Sequence, residues 1–478
     1  MSASLQPVVN FWELRHPSPT VAIVDSHSGR SWTYGQLRQD AERLATLLAQ
    51  GGHKTLCALR ARNRYECLVF YLAALRSGQA LLLIDAALTR ELWRHLIEIY
   101  QPHFIADASL DVALSDYECT DKLILPLWQR RSPATAVAIH SALALLLSTS
   151  GSTGSPKMAR LTLNNLQSNA QAIAQYLTLS ADDKPIAALP MAYSYGLSVI
   201  NSHLLVGATL VLSEYGVLRR EFWDGVEQHG CTSFSAVPYT YQMLLQTGLL
   251  AKRGATLRTL TQAGGRLPES QVRQLYELAR SRNGRFFVMY GQTEATARIA
   301  FVPWSALGSK PGAIGIAIPG GTIRLDPGGE LIYSGPNVML GYAECRQDLC
   351  RGDELHGVLH TGDLARQDAD GFFYITGRTR RFLKLFGKRF NLDELEEQLT
   401  AHLAAASACL GRDDMLVVAT EHADTQAATA FLRDTHGLPR DVVRVIAMDR
   451  LPRTLSGKVD YPALALAQPA RLAIAGSP

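Results

Sequence analysis

Between residues 56 and 106, apolar runs of strand length alternate with helical patterns, and this alternation narrows the possible folds further than any other feature. Leu56 to Leu59 reads as a strand, Tyr65 to Ser77 as a helix, Ala80 to Ile84 as a strand, Arg90 to Tyr100 as a helix and His103 to Ala106 as a strand. Strands joined by helices of this length build βαβ units and mostly parallel sheets. The pattern extends in both directions. Val21 to Val24 and Ser31 to Thr33 read as short strands before an amphipathic helix that runs to about Gln50, and Thr33 and Gln36 have capping-box spacing at its start. Further on, helices are expected at Leu163 to Leu177 and Gly196 to Leu205. Strands are expected at Ile186 to Leu189, Thr209 to Leu212, Ser233 to Val237, Leu257 to Thr261 and Phe286 to Met289.

From about Pro311 the texture changes. Glycine and proline become dense and the strands shorten (Thr322 to Leu325, Glu330 to Tyr333, Phe372 to Ile375), which predicts a β-rich subdomain. Past Gly377-Arg378-Thr379-Arg380, a helix at Leu392 to His402 and strands at Leu416 to Thr420 and Val442 to Ile446 predict a small α+β unit. The expected class is therefore α/β, with a large N-terminal domain over residues 1–377 and a C-terminal domain over 381–478.

Bulk composition excludes several classes. With 47% hydrophobic and 19% charged residues the chain reads as a folded soluble protein. A net charge of +4 gives no basis for binding nucleic acid or a membrane surface. The cysteines at 57, 67, 119, 231, 345, 350 and 409 form no CxxC pair, which points to reduced thiols and a cytoplasmic setting. The residues from Met1 to Asn10 lack the regions of a signal peptide, and no apolar stretch reaches membrane-spanning length.

The apolar run Leu143 to Leu147 leads into Ser148-Thr149-Ser150-Gly151-Ser152-Thr153-Gly154-Ser155-Pro156-Lys157. Four hydroxyls, two glycines and a lysine fall between Ser150 and Lys157. Glycines let backbone N–H groups approach an anion, and the hydroxyls and ammonium complete a phosphate cradle. The spacing differs from a Walker A loop, because Gly154 is followed by Ser155-Pro156-Lys157.

Four further stretches follow in order: Ala263-Gly264-Gly265, Tyr290-Gly291-Gln292-Thr293-Glu294, Thr361-Gly362-Asp363 with Tyr374 and Gly377-Arg378, and Pro452-Arg453-Thr454-Leu455-Ser456-Gly457-Lys458. Together with the Ser148–Lys157 loop, the set resembles the adenylate-forming superfamily of acyl-CoA synthetases, peptide-synthetase adenylation domains and carrier-protein acyl ligases. The resemblance implies ATP binding by Thr149, Ser150, Gly151, Ser152, Thr153, Gly154 and Lys157. Gly264 and Gly265 would line the adenine pocket and Tyr290 would stack on the base beside Gly291. Thr293 would touch the α-phosphate and Glu294 would hold Mg²⁺, a hard cation suited to carboxylate and phosphate oxygens. Asp363 would accept from the ribose hydroxyls, with Tyr374 and Arg378 nearby. Lys458 would close over the site on a mobile lid and act with Thr293 and Glu294 in catalysis. The hinge position of the family falls at Arg380.

Departures from the family pattern narrow the substrate. Tyr193 stands where acyl-CoA synthetases often carry histidine, and Ser194 stands where amino-acid-activating members carry an aspartate. A buried ammonium without a carboxylate partner is costly, so an α-amino acid is disfavoured. The expected acid pocket is Tyr193, Ser194, Ala236, Val237, Pro238 and Gly264, mostly small or apolar. Leu392 replaces a proline frequent in CoA ligases, which brings the linker closer to carrier-protein ligases. Six basic residues lie between 378 and 389, and Lys384, Gly387, Lys388 and Arg389 read either as a solvated face or as a docking strip for an acidic carrier or for CoA phosphates. Met158 and Leu163 replace a glycine and a histidine frequent after the loop.

The expectation is thus an enzyme that joins ATP and a small carboxylic acid into an acyl-AMP, then passes the acyl group to a phosphopantetheine thiol. A carrier protein is the preferred acceptor, with CoA as the alternative and an amine or hydroxyl as a further one. The oligomer is expected to be a monomer or homodimer. A non-catalytic nucleotide-binding scaffold is the rival from another class, disfavoured by the intact Thr293, Glu294, Asp363 and Lys458.

Overall fold

The computed structural model describes residues 10–107, 116–121, 124–149, 157–378, 381–385, 388–412, 415–454 and 457–467. Ser150 to Gly154, Arg380 and Gly387 lie outside the described residues, as do the side chains of Lys384, Lys388 and Arg389. The chain divides into two compact units, Met1–Ile323 with Tyr333–Leu359, and Arg324–Ile332 with His360–Pro478.

The first unit holds two large sheets. In the nine-stranded sheet the strands Arg285–Tyr290, Thr259–Gln262, Ser233–Ala236, Pro185–Ala187, Leu210–Leu212 and Val21–Asp25 lie side by side in that order, all parallel to their neighbours. The alternation of strand and helix signals produces this arrangement, because each crossover helix returns the chain to start another parallel strand. The capping box at Thr33 and Gln36 is formed, and the helix it starts, Tyr34–Leu48, ends slightly before the expected Gln50. The strand expected at Leu257 to Thr261 forms at Thr259–Gln262.

The eight-stranded sheet has the order Gly341–Ala343, Met158–Thr162, Leu143–Ser148, Ala80–Asp85, Leu56–Ala61, Phe104–Ala106, Leu127–Arg130, Tyr117–Asp121. Its centre is parallel and its flanks are antiparallel. Leu81, Leu83, Leu145 and Leu147 bury one sheet face in the main core beside the helical residues Leu68, Leu72 and Leu197. Leu82 and Leu146 bury the opposite face with Trp93 and Leu96, which is why these strands read as continuous apolar runs.

A four-stranded sheet in the order Thr322–Leu325, Glu330–Ser334, Val358–Gln367, Phe373–Arg378 has most of its residues in the second unit. The second unit also holds a hairpin of Phe382–Leu385 and Lys388–Asn391, and a three-stranded sheet, Ser407–Arg412, Met415–Glu421 and Val443–Met448. The helices Leu392–Leu403 and Thr425–His436 cover that sheet, with Leu395, Leu399, Val418 and Leu432 in its core.

Candidate active site

Three parallel strands define the site in the first unit. Ser233–Ala236, Thr259–Gln262 and Arg285–Tyr290 are neighbours in register, with Ala236 opposite Gln262 and Gln262 opposite Val288. The segments that follow them, Val237-Pro238, Ala263-Gly264-Gly265 and Gly291-Gln292-Thr293-Glu294, therefore leave the sheet side by side at its carboxyl edge. Open parallel sheets bind ligands along that edge.

Close approach at this edge accounts for two glycines. Gly264 has φ of +89°, and a Cβ there would stand 2.6 Å from the Tyr193 phenol oxygen and 3.3 Å from a Val237 methyl. A Cβ on Gly291 would lie 1.9 Å from the Ala297 carbonyl oxygen, so the turn after Tyr290 closes only without a side chain. Tyr193, Val237 and Gly264 are thereby brought together as the sequence predicts, and Pro238 packs beside Gly265 at 3.3 Å from its missing Cβ.

The helix Ser194–Val206 begins two residues before the expected Gly196, with Tyr193 extended at its N-cap. Ser194 Oγ lies 3.2 Å from Thr293 Oγ1, both residues being 8% exposed, so the stretch expected to line the acid pocket and the one expected to touch the α-phosphate share a hydrogen bond. Burial pushes the Tyr193 phenol up to about 12, opposed by the positive charge of Arg298. Tyr193 is therefore a neutral hydroxyl at physiological pH.

Leu143–Ser148 pairs antiparallel with Met158–Thr162, where only a strand leading into a loop was expected. Thr149 closes its base, donating through N and Oγ1 to the Lys157 carbonyl at 3.1 and 3.2 Å. Met158 is buried in the returning strand, and Leu163 opens the helix that Thr162 caps. Gly341–Ala343 pairs with the returning strand, placing Tyr342 opposite Ala159. Tyr342 donates to Glu294 Oε1 at 2.8 Å, and Lys157 Nζ lies over the Tyr342 ring and 2.8 Å from Glu344 Oε1. Lys157, Tyr342, Glu294, Thr293 and Ser194 thus form one connected constellation.

Sequence reasoning missed Tyr342, Glu344 and Arg298. Tyr342 and Glu344 carry no local signal, because their role arises only from long-range strand pairing. Arg298 did carry one: it is a lone cation inside the apolar run from Ala295 to Phe301, the pattern of a buried charge.

Among the described residues no group of three His, Cys, Asp or Glu side chains could hold a metal ion by itself. Glu294 offers one carboxylate, which fits a cation that brings phosphate ligands and water with it.

In the second unit Asp363 and Arg378 face each other across paired strands, with Arg378 Nε 3.0 Å from Asp363 Oδ1. Tyr374 donates to Asp368 Oδ2 at 3.0 Å and lies under the Arg366 guanidinium. Lys458 follows Gly457, whose φ is +78°, in a turn where Thr454 N donates to the Lys458 carbonyl at 2.8 Å. Lys384 and Arg389 are opposed in the ladder of the hairpin that carries the basic strip.

The AMP-binding enzyme family matches residues 11–343, and the chain belongs to that family. The chain is 28% identical to the indoleacetate–CoA ligase of Aromatoleum aromaticum, over 90% of this chain and 92% of that protein. It is 30% identical to the L-proline–[L-prolyl-carrier protein] ligase of Pseudomonas fluorescens, over 68% of each. Its fold is that of the O-succinylbenzoate coenzyme A synthetase of Bacillus subtilis in complex with ATP and magnesium ion, at a TM-score of 0.74 and 22% identity, covering 94% of this chain and 98% of that one. The protein is an AMP-forming acid–thiol ligase.

Proposed function

We propose that the enzyme activates a small carboxylic acid lacking an α-ammonium and transfers it to CoA. In the first step an acid oxygen attacks the α-phosphorus of ATP, the bond to the β-phosphate oxygen breaks, and pyrophosphate leaves. In the second step a thiolate attacks the acyl carbonyl, a thioester forms and AMP leaves. The observation that carries this reading is the continuous set of contacts from Ser194 through Thr293 and Glu294 to Tyr342 and Lys157. It supports a reading in which the acid pocket adjoins the polyphosphate site, as attack on the α-phosphorus requires.

The roles of the individual residues follow from their chemistry. Thr293 donates to the α-phosphate, and Lys157 neutralises the polyphosphate. Glu294 holds Mg²⁺, which supplies charge neutralisation on the phosphates. Tyr193, Ala236, Val237, Pro238 and Gly264 wall the acid pocket. Tyr290 stacks on adenine beside Gly264 and Gly265, Asp363 accepts from the ribose, and Lys458 stabilises the charge that develops between the carboxylate and the α-phosphate. Residues 381–478 act as a lid that turns about Arg380.

CoA is preferred to a carrier protein because the relative that matches over nine-tenths of both chains is named as a CoA ligase. The carrier-protein ligase relative and the basic residues from Lys384 to Arg389 favour the second reading, a carrier-borne phosphopantetheine thiol. ATP–pyrophosphate exchange across an acid panel tests the first step. Exchange with a proteinogenic amino acid and none with simple carboxylates would sink the substrate reading, and absence of exchange with any acid would favour the scaffold. Parallel reactions with CoA and with a phosphopantetheinylated carrier, read by mass spectrometry, decide the acceptor.

A further inference from the structure

Arg298 is 2% exposed and makes no ion pair among the described residues. Its guanidinium lies over the Tyr195 ring at 4.1 Å. Nε donates to Met289 Sδ at 3.4 Å and Nη1 to the Ala297 carbonyl at 3.4 Å. A thioether is a weak acceptor, and the Met289 sulfur already accepts from the Tyr176 hydroxyl at 2.9 Å. Other buried arginines of this chain are served differently. Arg160 pairs with Glu354 and donates to the carbonyl oxygens of Tyr342, Arg351 and Gly352. Arg346 donates to three carbonyls, of Thr135, Tyr100 and Gln101, at 2.9 to 3.1 Å. Arg298 alone of the three has neither a carboxylate nor a carbonyl closer than 3.4 Å, its other side-chain oxygen partner being the Tyr176 hydroxyl, and a buried cation in that condition is costly unless a ligand supplies the anion.

Its place identifies the ligand. Tyr195, on which it stacks, belongs to the helix that starts at Ser194, and the Tyr195 ring is 6.3 Å from that of Tyr193 in edge contact. Tyr193 in turn lies against Gly264 in the acid pocket. The charged group behind this wall is thus a cation, in a pocket where Ser194 leaves no carboxylate for an ammonium. The reacting carboxylate is a poor partner for Arg298. It loses its charge on becoming an acyl phosphate, so a buried guanidinium on it would stabilise the substrate more than the transition state.

Resting on the acid-activating reading above, we propose that Arg298 selects a dicarboxylic acid by pairing with its non-reacting carboxylate. The first step is then unchanged in atoms and electrons: one carboxylate attacks the α-phosphorus and pyrophosphate leaves, while the other stays ionised on the guanidinium.

The test uses matched probes, glutarate with pentanoate and isophthalate with 3-methylbenzoate, on the full-length protein. Binding is read by calorimetry in the presence of a non-hydrolysable ATP analogue, and activation by pyrophosphate exchange. Wild type should bind a diacid about 10-fold or more tighter than its monoacid partner. Arg298→Met should erase that preference with ATP affinity unchanged, and Arg298→Lys should keep part of it. Equal or tighter binding of the monoacids by wild type would overturn the proposal, as would an Arg298→Met loss equal for both members of each pair. If Arg298→Met does not fold, the wild-type preference and Arg298→Lys decide. Diacid-selective binding without exchange would support Arg298 and sink the adenylation reading, while exchange with monoacids alone would do the reverse.

Discussion

Tyr342 gives its phenolic hydrogen to Glu294 Oε1 across 2.8 Å, and that bond ties the carboxylate expected to hold Mg²⁺ to the strand beside the phosphate-loop hairpin. The bond limits the rotamers open to a half-free carboxylate at the moment a cation must be shared with phosphate. Tyr342→Phe keeps the ring under Lys157 and removes only the donor. Because Tyr342 is 37% exposed, the cost should be modest, about 1 kcal/mol or roughly five-fold. It should appear as a raised Mg²⁺ requirement in pyrophosphate exchange, with acid KM little changed. A magnesium titration of the two proteins checks this, and equal midpoints would remove Tyr342 from the metal site.

Gly264 and Tyr193 make a steric pair. Gly264→Ala places a methyl 2.6 Å from the Tyr193 oxygen at a backbone angle that L residues rarely adopt. Acid KM should rise and the protein should lose about 1–3 kcal/mol of stability. Tyr193→Phe removes the clashing oxygen, so the double mutant should recover part of the acid affinity while the backbone strain persists. Additive losses in a double-mutant cycle would mean that the two residues do not share one wall of the pocket.

The parts of this site that were legible in the sequence are those written in local signals. The capping box at Thr33 and Gln36 lies within one helical turn, and the apolar runs Leu56–Ala61 and Ala80–Asp85 are buried on both faces, so each announces itself without a partner. Gly291 is legible for the same reason, its turn closing on Ala297 six residues on, and Gly264 through its positive φ, though the Tyr193 oxygen it faces is distant in sequence. Met158–Thr162 was not legible. Met-Ala-Arg-Leu-Thr does not alternate, and its burial depends on pairing with Gly341–Ala343 far along the chain. Tyr342 becomes a neighbour of Glu294 only through that pairing. Arg298 gave a signal that the motifs on either side overshadowed.

The Tyr193 phenol carries a stability signature at high pH. Burial raises it to about 12 from the value near 10 of an unfolded tyrosine. A group whose folded pKa is raised contributes stability that is complete below the unfolded pKa. That contribution is lost as pH climbs through the folded one, here between about 10 and 12. From pH 6 to 9, Tyr193→Phe should therefore leave the shape of the pH–rate profile unchanged. In urea unfolding at pH 8 and pH 11, the wild type should lose more stability than Tyr193→Phe over that interval. Equal losses would show that the phenol titrates without cost.

Asp363 holds Arg378 at 3.0 Å, so its carboxylate is oriented before nucleotide arrives. Asp363→Ala should remove charge-assisted bonds to the ribose worth about 1.5–3 kcal/mol each, and should weaken ATP binding accordingly. Asp363→Asn keeps an acceptor and should lose less. Fluorescent-nucleotide titration separates the two. Wild-type affinity in Asp363→Ala would end the ribose assignment and leave the pair as a strand-to-strand tie.

Lys458 should serve one half of the reaction and not the other. It sits in a turn of the second unit, beyond Arg380 in the chain, on the portion proposed as a lid. Adenylation concentrates negative charge between the carboxylate and the α-phosphate, and an ammonium brought there stabilises that transition state more than the separated substrates. Thiol attack on acyl-AMP develops its charge at the acyl carbonyl, and the lid is then expected to present the hairpin that carries Lys384 and Arg389. Lys458→Ala should lower pyrophosphate exchange by two orders of magnitude or more, on the scale of about 2.7–4 kcal/mol for removing an electrostatic stabiliser, while thioester formation from supplied acyl-AMP stays near wild type. Arg380→Pro should show the opposite pattern, because a fixed φ stiffens the hinge in one state. Both mutants are assayed in both half-reactions. If Lys458→Ala depresses the two equally, the lysine acts in each step or holds the lid together, and the alternation of the lid between two faces is wrong for this enzyme.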